Sequence, residues 1–389
     1  MTNLPRPLGL PDFPWNSLAP YRTKAEAHDG GICDLSVGTP VDPTPQFIRD
    51  ALAEASDSHG YPTVIGTVEV RQAILDWAAR RGLVDCGLSG CLPTIGSKEA
   101  VAWLPKLLGV GPGDTVLLPD VAYPTYEVGI LLAGATPVAV DPRDPASWPT
   151  EATMVWLNTP GNPHGHVMSR DELRAVIAWA RANGAVVASD ECYAALPWDP
   201  ELVTDGVPSL LSGDVCDGDP SGLLVLYSLS KQSNLAGYRA ALIVGDPALV
   251  APVVEVRKHA GLIVPGPVQH AMAVALADDA HVAAQREVYG ARRAELLAAV
   301  EAAGLEVDPD TRAGLYLWVR AGATDGDTTA DSWTLVDRFA ELGILVAPGD
   351  FYGPAGQGWV RAALTESDER IRTAAERLRG TNLFHSTSK

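Results

Sequence analysis

From about residue 60 to 275, short apolar runs alternate with amphipathic stretches, the pattern that a parallel sheet covered by helices leaves on its chain. The runs predict strands at 115–118, 136–140, 154–157, 185–189, 223–227 and 240–244, each ending in residues suited to a turn. Between the third and fourth, Ser169-Arg-Asp-Glu172 has the form of a capping box, in which serine and glutamate side chains each satisfy a free N–H of the first turn. The helix it opens is expected to stop at Asn183-Gly184, where glycine supplies a left-handed residue. The same apolar spacing predicts helices near 69–81 and 98–108. After 275 the texture changes to a long Ala/Arg/Glu helix over about 280–303, a strand at 315–320, a helix at 332–342, strands near 344–346 and 359–364, and a last helix.

The organisation that follows is α/β. Residues 41–275 form a large domain on a mostly parallel central sheet sandwiched by helices, and 276–389 a smaller α+β domain. The Pro-rich arm, 1–40, is expected to have little regular structure and to lie against the small domain or a partner. The polar tail from 380 is expected to fray.

Composition removes several classes of function. The chain has 389 residues, 47% of them hydrophobic and 20% charged, which suits a multi-domain globular enzyme. Its net charge of −19 offers no basic stripe for nucleic acid or anionic lipid, so any phosphate site must be built locally. No apolar run reaches the roughly 18 residues of a membrane span, and the start lacks the charge and apolar core of a secretory signal. A cytoplasmic location is expected. Five cysteines (Cys33, Cys86, Cys91, Cys192, Cys216) without a CxxC pair suggest buried thiols, neither a disulfide framework nor a metal site.

In open parallel sheets, ligands bind beyond the carboxyl ends of the strands. Three such ends carry polar clusters here: Asn158-Thr-Pro-Gly-Asn162-Pro-His-Gly165, Asp190-Glu-Cys-Tyr193 and Ser228-Leu-Ser-Lys231, with Arg239 eight residues beyond Lys231. Singly, each reads equally well as a cap, a turn or a solvated loop. Their order and spacing resemble the fold-type I, class I/II aminotransferases across nearly the whole chain. The resemblance implies the transferase fold of that type and pyridoxal phosphate as cofactor. It implies Lys231 as the lysine that holds the cofactor aldehyde as a Schiff base and shuttles the proton. Asp190 would keep the pyridine nitrogen protonated, and Asn162 and Tyr193 would donate to the phenolic oxygen.

The resemblance places a phosphate cup at Gly96-Ser97-Lys98, joined by Ser228, Ser230 and Arg239, and stacks Tyr123 on the cofactor ring. Arg361 and Gly38, with Asn162, match positions that receive the substrate α-carboxylate. Tyr61 matches a tyrosine given to the phosphate of the neighbouring subunit, which implies a homodimer with sites at the interface. His164 stands where a threonine is usual and reads as a tolerated substitution.

The runs 10–15, 96–100 and 228–237 further resemble actinobacterial N-succinyldiaminopimelate aminotransferases, implying a place in diaminopimelate and lysine biosynthesis. Candidate cations for the distal carboxylates are Lys98, Arg22 and Lys24. Aminotransferases of other amino acids and carbon–sulfur β-lyases share the same lysine, aspartate and arginine and stay open. A cofactor-sensing transcription regulator would need a fused basic DNA-binding module.

Overall fold

The computed structural model describes residues 9–322 and 330–381, which leaves most of the polar tail and the first eight residues outside the described part. Its centre is a seven-stranded sheet of β1 (Cys91–Ile95), β2 (Thr115–Pro119), β3 (Thr136–Val140), β4 (Met154–Asn158), β5 (Val186–Asp190), β6 (Leu223–Ser228) and β7 (Ala240–Gly245), in the order β1-β7-β6-β5-β4-β2-β3. Strands β2 to β6 are parallel to their neighbours, whereas β7 runs antiparallel to β6, and β1 antiparallel to β7. The sheet is therefore mostly parallel, as expected, with antiparallel pairing at one edge. Strand β1 escapes prediction because Pro93 sits in its middle. Proline lacks the ladder N–H and is tolerated there because β1 is an edge strand.

Both faces of the sheet are covered. Val155 and Leu157 enter one apolar cluster while Met154 and Trp156 enter the cluster on the opposite face, as the period-two alternation of a strand requires. Strands buried on both faces read as continuous apolar runs. That is why they are visible in the sequence. The helices Thr125–Ala133 and Gly266–Leu276 are not, because they are apolar nearly all round and show no polar stripe. The capping box forms as expected: the Ser169 side chain accepts from Glu172 N–H, and Gly184 takes φ 70° at the helix end.

A third cluster joins Val319, Leu335, Phe339, Val360 and Ile371 to Leu18, Cys33 and Leu35 of the arm. The arm is more regular than expected: Pro14–Leu18 forms a 3-10 turn and Ala19–Glu26 an α-helix. Cys33–Asp34 pairs in parallel with Ile344–Leu345, and Trp15 packs on Phe351 at 5.1 Å. The arm thus docks on the C-terminal region, and Tyr193, in the turn just beyond β5, enters the same cluster. All five cysteines are free and buried. Among the described residues no helix is long and apolar enough to cross a membrane.

Candidate active site

The reversal of β7 determines what meets at the sheet edge. Asn158, Asp190 and Ser228 end the parallel strands β4, β5 and β6, with Asn158 opposite Asp190 in register. Because β7 runs the other way, its start lies beside the end of β6, with Ser228 opposite Ala241. Arg239, just before β7, is thereby brought to the carboxyl edge. The second reversal, at β1, brings its end to the same place, with Ile95 opposite Ala240, and Ser97 follows at the start of helix Ser97–Leu107. A parallel β7 would have put Arg239 at the opposite edge of the sheet.

A cavity of about 270 Å³ opens there, lined by Gly38, Ser97, Lys98, Tyr123, Asn162, Asp190, Tyr193, Ser228, Ser230, Lys231, Arg239 and Arg361. Of the side chains expected to hold the cofactor or the α-carboxylate, all but one are among them. Tyr61 is 100% exposed and lies outside its own chain's cavity. Trp15, Tyr126 and Tyr316 also line it, and sequence reasoning gives them no role.

One end of the cavity is a nest of anion donors. Ser228 Oγ donates to Ser230 Oγ at 2.9 Å, and the N-terminus of helix Ser97–Leu107, which no side chain caps, lines the same cavity. Arg239 adopts a left-handed conformation (φ 56°, ψ 46°), which costs a residue with a Cβ roughly 1–2 kcal/mol. That conformation holds its guanidinium against Gly96, whose φ is 76° and whose missing Cβ leaves the room: an added methyl group would collide with Arg239 Nη2. Burial, and then the charge of Arg239, push the Lys98 ammonium below its usual pKa. A chain of net charge −19 concentrates cations here and nothing among the described lining opposes them except Asp190.

At the centre, Asp190 is 7% exposed, and burial raises its carboxyl above the usual value against bonds from Cys192 and Tyr126. Its Oδ2 accepts from Tyr126 hydroxyl at 3.0 Å and its Oδ1 from Cys192 N–H at 3.2 Å. The Lys231 amine donates to the carbonyl of Gly38, and burial lowers its pKa. Asn158 organises the turn beyond β4: its Nδ2 donates to Asp190 carbonyl at 2.9 Å and its Oδ1 accepts from Asn162 N–H at 2.7 Å. His164 points away from this cavity into a neighbouring one. Burial drives its pKa well below the usual value, and it stacks on His166 at 3.9 Å, as a neutral packing residue would.

At the other end, Arg361 is 2% exposed. Nη1 donates to Asn162 Oδ1 at 2.9 Å and Nη2 to the Ser36 carbonyl at 2.7 Å, while Nε is buried without a partner. Tyr316, Tyr352 and Trp15 surround the guanidinium at 4.0, 5.2 and 5.8 Å. No carboxylate among the described residues lies within ion-pair distance of it, so the internal salt bridge that would make Arg361 merely structural is missing. Tyr316 ties the parts together. Its ring faces Arg361, its hydroxyl is 3.1 Å from that of Tyr193, and a Cβ at Gly38 would strike it. Of the sequence candidates for a distal cation, Arg22 is bound to Asp34 at 2.7 Å and Lys24 to Asp337 at 2.8 Å, both outside the cavity. Lys98 lines it.

Comparison with known proteins agrees with this geometry. The family model described as "Aminotransferase class I and II" matches residues 31–378. The 4-dedimethylamino-4-oxo-anhydrotetracycline transaminase of Streptomyces rimosus is 51% identical over 95% of this chain and 99% of its own. A probable aminotransferase of Mycobacterium tuberculosis is 50% identical over 95% of this chain and 85% of its own. The solved structure of a probable N-succinyldiaminopimelate aminotransferase from Thermus thermophilus superposes with a TM-score of 0.83 at 29% identity, covering 95% of this chain and 100% of that one. The cofactor of this family is pyridoxal phosphate, and the donor set fits it: hydroxyls, a helix start and a guanidinium for a dianion, a buried carboxylate and a desolvated amine beyond.

Proposed function

Because the chain belongs to the class I and II aminotransferases, a pyridoxal-phosphate-dependent family, we propose that it moves an amino group between glutamate/2-oxoglutarate and N-succinyl-2-amino-6-oxopimelate. When bound, the cofactor supplies an aldehyde to take up the amino group and a ring that spreads negative charge from the substrate carbon. Ser97, Lys98, Ser228, Ser230 and Arg239 hold its phosphate, Tyr123 covers its ring, and Asn162 and Tyr193 donate to its phenolic oxygen. Asp190 holds a proton at the ring nitrogen. Lys231, its pKa lowered by burial, is present as the free amine, able to take a proton at Nζ, in a larger fraction than a solvated lysine would be. Tyr61, exposed in one chain, reaches the phosphate of a second copy in a homodimer.

The observation that carries this reading is Arg361: a buried guanidinium with no carboxylate beside it among the described residues, in one cavity with Lys231 and Asp190. A buried cation without an anion is costly, and the α-carboxylate of an amino acid is the anion it lacks. Lys98 is the lining cation available for a second acidic group of the acceptor. The likeness to the Thermus protein, a probable N-succinyldiaminopimelate aminotransferase, supports the succinylated acceptor. A second reading, a polycyclic ketone as acceptor, rests on the 51% identity to the Streptomyces transaminase and on Trp15, which lines the cavity and stacks on Phe13 at 5.5 Å.

The test is a panel of acceptors with glutamate as donor, following 2-oxoglutarate. Turnover with N-succinyl-2-amino-6-oxopimelate at least tenfold above other keto acids supports the first reading, and preference for a polycyclic ketone supports the second. Release of pyruvate and ammonia from cystathionine with no amino transfer overturns both in favour of a β-lyase.

A further inference from the structure

Behind the lysine segment lies a second cleft, of about 440 Å³, bounded by helix Val68–Arg80, helix Pro200–Asp205 and the start of helix Ala280–Ala302. We propose that it is a ligand site for a small organic carboxylate with a flat apolar body, separate from the cavity that holds Arg361.

Four arginines line the cleft, in a chain where acidic residues outnumber basic ones 48 to 29. Two are committed: Arg80 to Asp279 at 2.7 Å and Arg170 to Asp214 at 2.7 Å. Arg81 is half-committed. Its Nη2 reaches the buried Glu191 at 3.5 Å, while Nη1 is buried without a partner. Arg286 has no carboxylate within ion-pair distance among the described residues. The lining carboxylate that answers none of these arginines, Asp205, is exposed. An entering carboxylate therefore meets Arg286 and the partly exposed guanidinium of Arg81.

The floor suits a flat body. Trp77 and Tyr227 pack at 4.4 Å between ring centres, and the Arg81 guanidinium lies 4.8 and 5.3 Å from them. The two rings are buried, and the partly exposed guanidinium they back is the flat surface on which a planar acid can lie. The floor also adjoins the catalytic segment. Tyr227 precedes Ser228, and its hydroxyl donates to Gln232, which follows Lys231; Glu191 follows Asp190. A ligand wedged here bears on the residues that orient Lys231 and Asp190, without touching the substrate.

The test uses 4-bromobenzoate on the native holoenzyme, with 4-bromobenzyl alcohol as the uncharged control. Crystals soaked with the acid are expected to show bromine in the cleft by anomalous scattering, apart from any at Arg361. Calorimetry is expected to show two classes of site in the native protein and one in Arg286→Gln and in Val203→Trp. The second substitution fills the cleft from a partly exposed wall position, and each weakens the second class at least tenfold. In turnover with glutamate, the acid is expected to lower kcat as well as raise the apparent KM, and Arg286→Gln to remove the kcat effect alone. Any one of three results overturns the proposal: a second class of site that survives both substitutions, equal binding of the alcohol, or purely competitive inhibition in the native protein. Binding is read without turnover, so this outcome is independent of which acceptor the enzyme uses.

Discussion

Replacing Arg361 with lysine isolates the fork from the charge. In the structure the guanidinium already spends one nitrogen on Asn162 Oδ1 and another on Ser36 carbonyl, both neutral acceptors, and its face is packed on Tyr316 at 4.0 Å. An incoming carboxylate exchanges a neutral partner for a charged one, so the gain is that of charge-assisted bonds to a buried guanidinium. Lysine keeps the charge but offers no planar pair of donors. It forfeits about one charge-assisted bond, roughly 1.5–3 kcal/mol, or about 10- to 150-fold in kcat/KM for glutamate. Glutamine removes the charge altogether, and the loss rises to about 2–5 kcal/mol, roughly 30- to 5,000-fold.

The assay is steady-state transamination by both variants, with glutamate and, in parallel, with 1-phenylethylamine, which has no carboxylate. The expected order for glutamate is native, then lysine, then glutamine, with the amine changed less than threefold throughout. If kcat/KM for glutamate stays within twofold of native in both variants, Arg361 does not receive the carboxylate. If the amine falls in step with glutamate, the substitutions have damaged the cavity and the argument fails by another route.

Three further outcomes follow from the same geometry. Tyr316→Phe removes a single hydroxyl–hydroxyl bond to Tyr193 and should lower kcat about 2- to 12-fold, while Tyr316→Leu, which also strips the ring from Arg361, should raise the glutamate KM; equal effects of the two would refute the separation. Gly96→Ala puts a methyl group into Arg239 at a positive φ and should weaken cofactor binding at least tenfold, read by equilibrium dialysis, with a smaller effect on the melting temperature of the cofactor-free protein. Burial depresses the Lys231 pKa on folding, so the unfolded chain binds the extra proton and stability rises with pH between the folded value and 10.5. Cofactor-free Lys231→Met should therefore melt above the cofactor-free native protein at pH 7, the gap closing as pH approaches 10.5, and a gap that widens with pH would contradict the sign.

Much of this site is legible in the sequence because its parts are local. Asn162, Asp190, Ser228 and Lys231 each follow an apolar run within a few residues, so the strand pattern itself delivers them to one edge. Arg239 and Ser97 are placed by resemblance alone, because the reversal of β7 and β1 that brings them there is a register fact with no signature in either strand. Tyr316 and Trp15 cannot be found in this way. Tyr316 opens a buried strand and reads as core, and Trp15 belongs to a Pro-rich segment whose docking on the C-terminal region depends on contacts hundreds of residues apart. Tyr126 lies in a helix that the apolar pattern does not reveal, and only the fold puts its hydroxyl on Asp190. The signal available for it is the pairing Tyr-Pro-Thr-Tyr, which is equally a helix start.

The charge of the chain makes a last claim that can be measured. Four cations and one carboxylate line the active cavity, whereas the molecule as a whole carries −19. An approaching dianion such as 2-oxoglutarate is repelled at long range and attracted only near the mouth. Which field it feels depends on screening, since the Debye length falls from about 30 Å at 0.01 M to about 8 Å at 0.15 M ionic strength. At the lower value the repulsion of the whole acidic surface reaches the substrate; at the higher value the cations of the cavity act nearly alone. The kcat/KM for 2-oxoglutarate should therefore rise as salt is increased over this range, before direct screening of Lys98 and Arg361 brings it down at higher concentrations. A monotonic fall from the lowest salt upward would mean that the cavity's own field extends beyond the surface, and that the acidic exterior takes no part in selecting what enters.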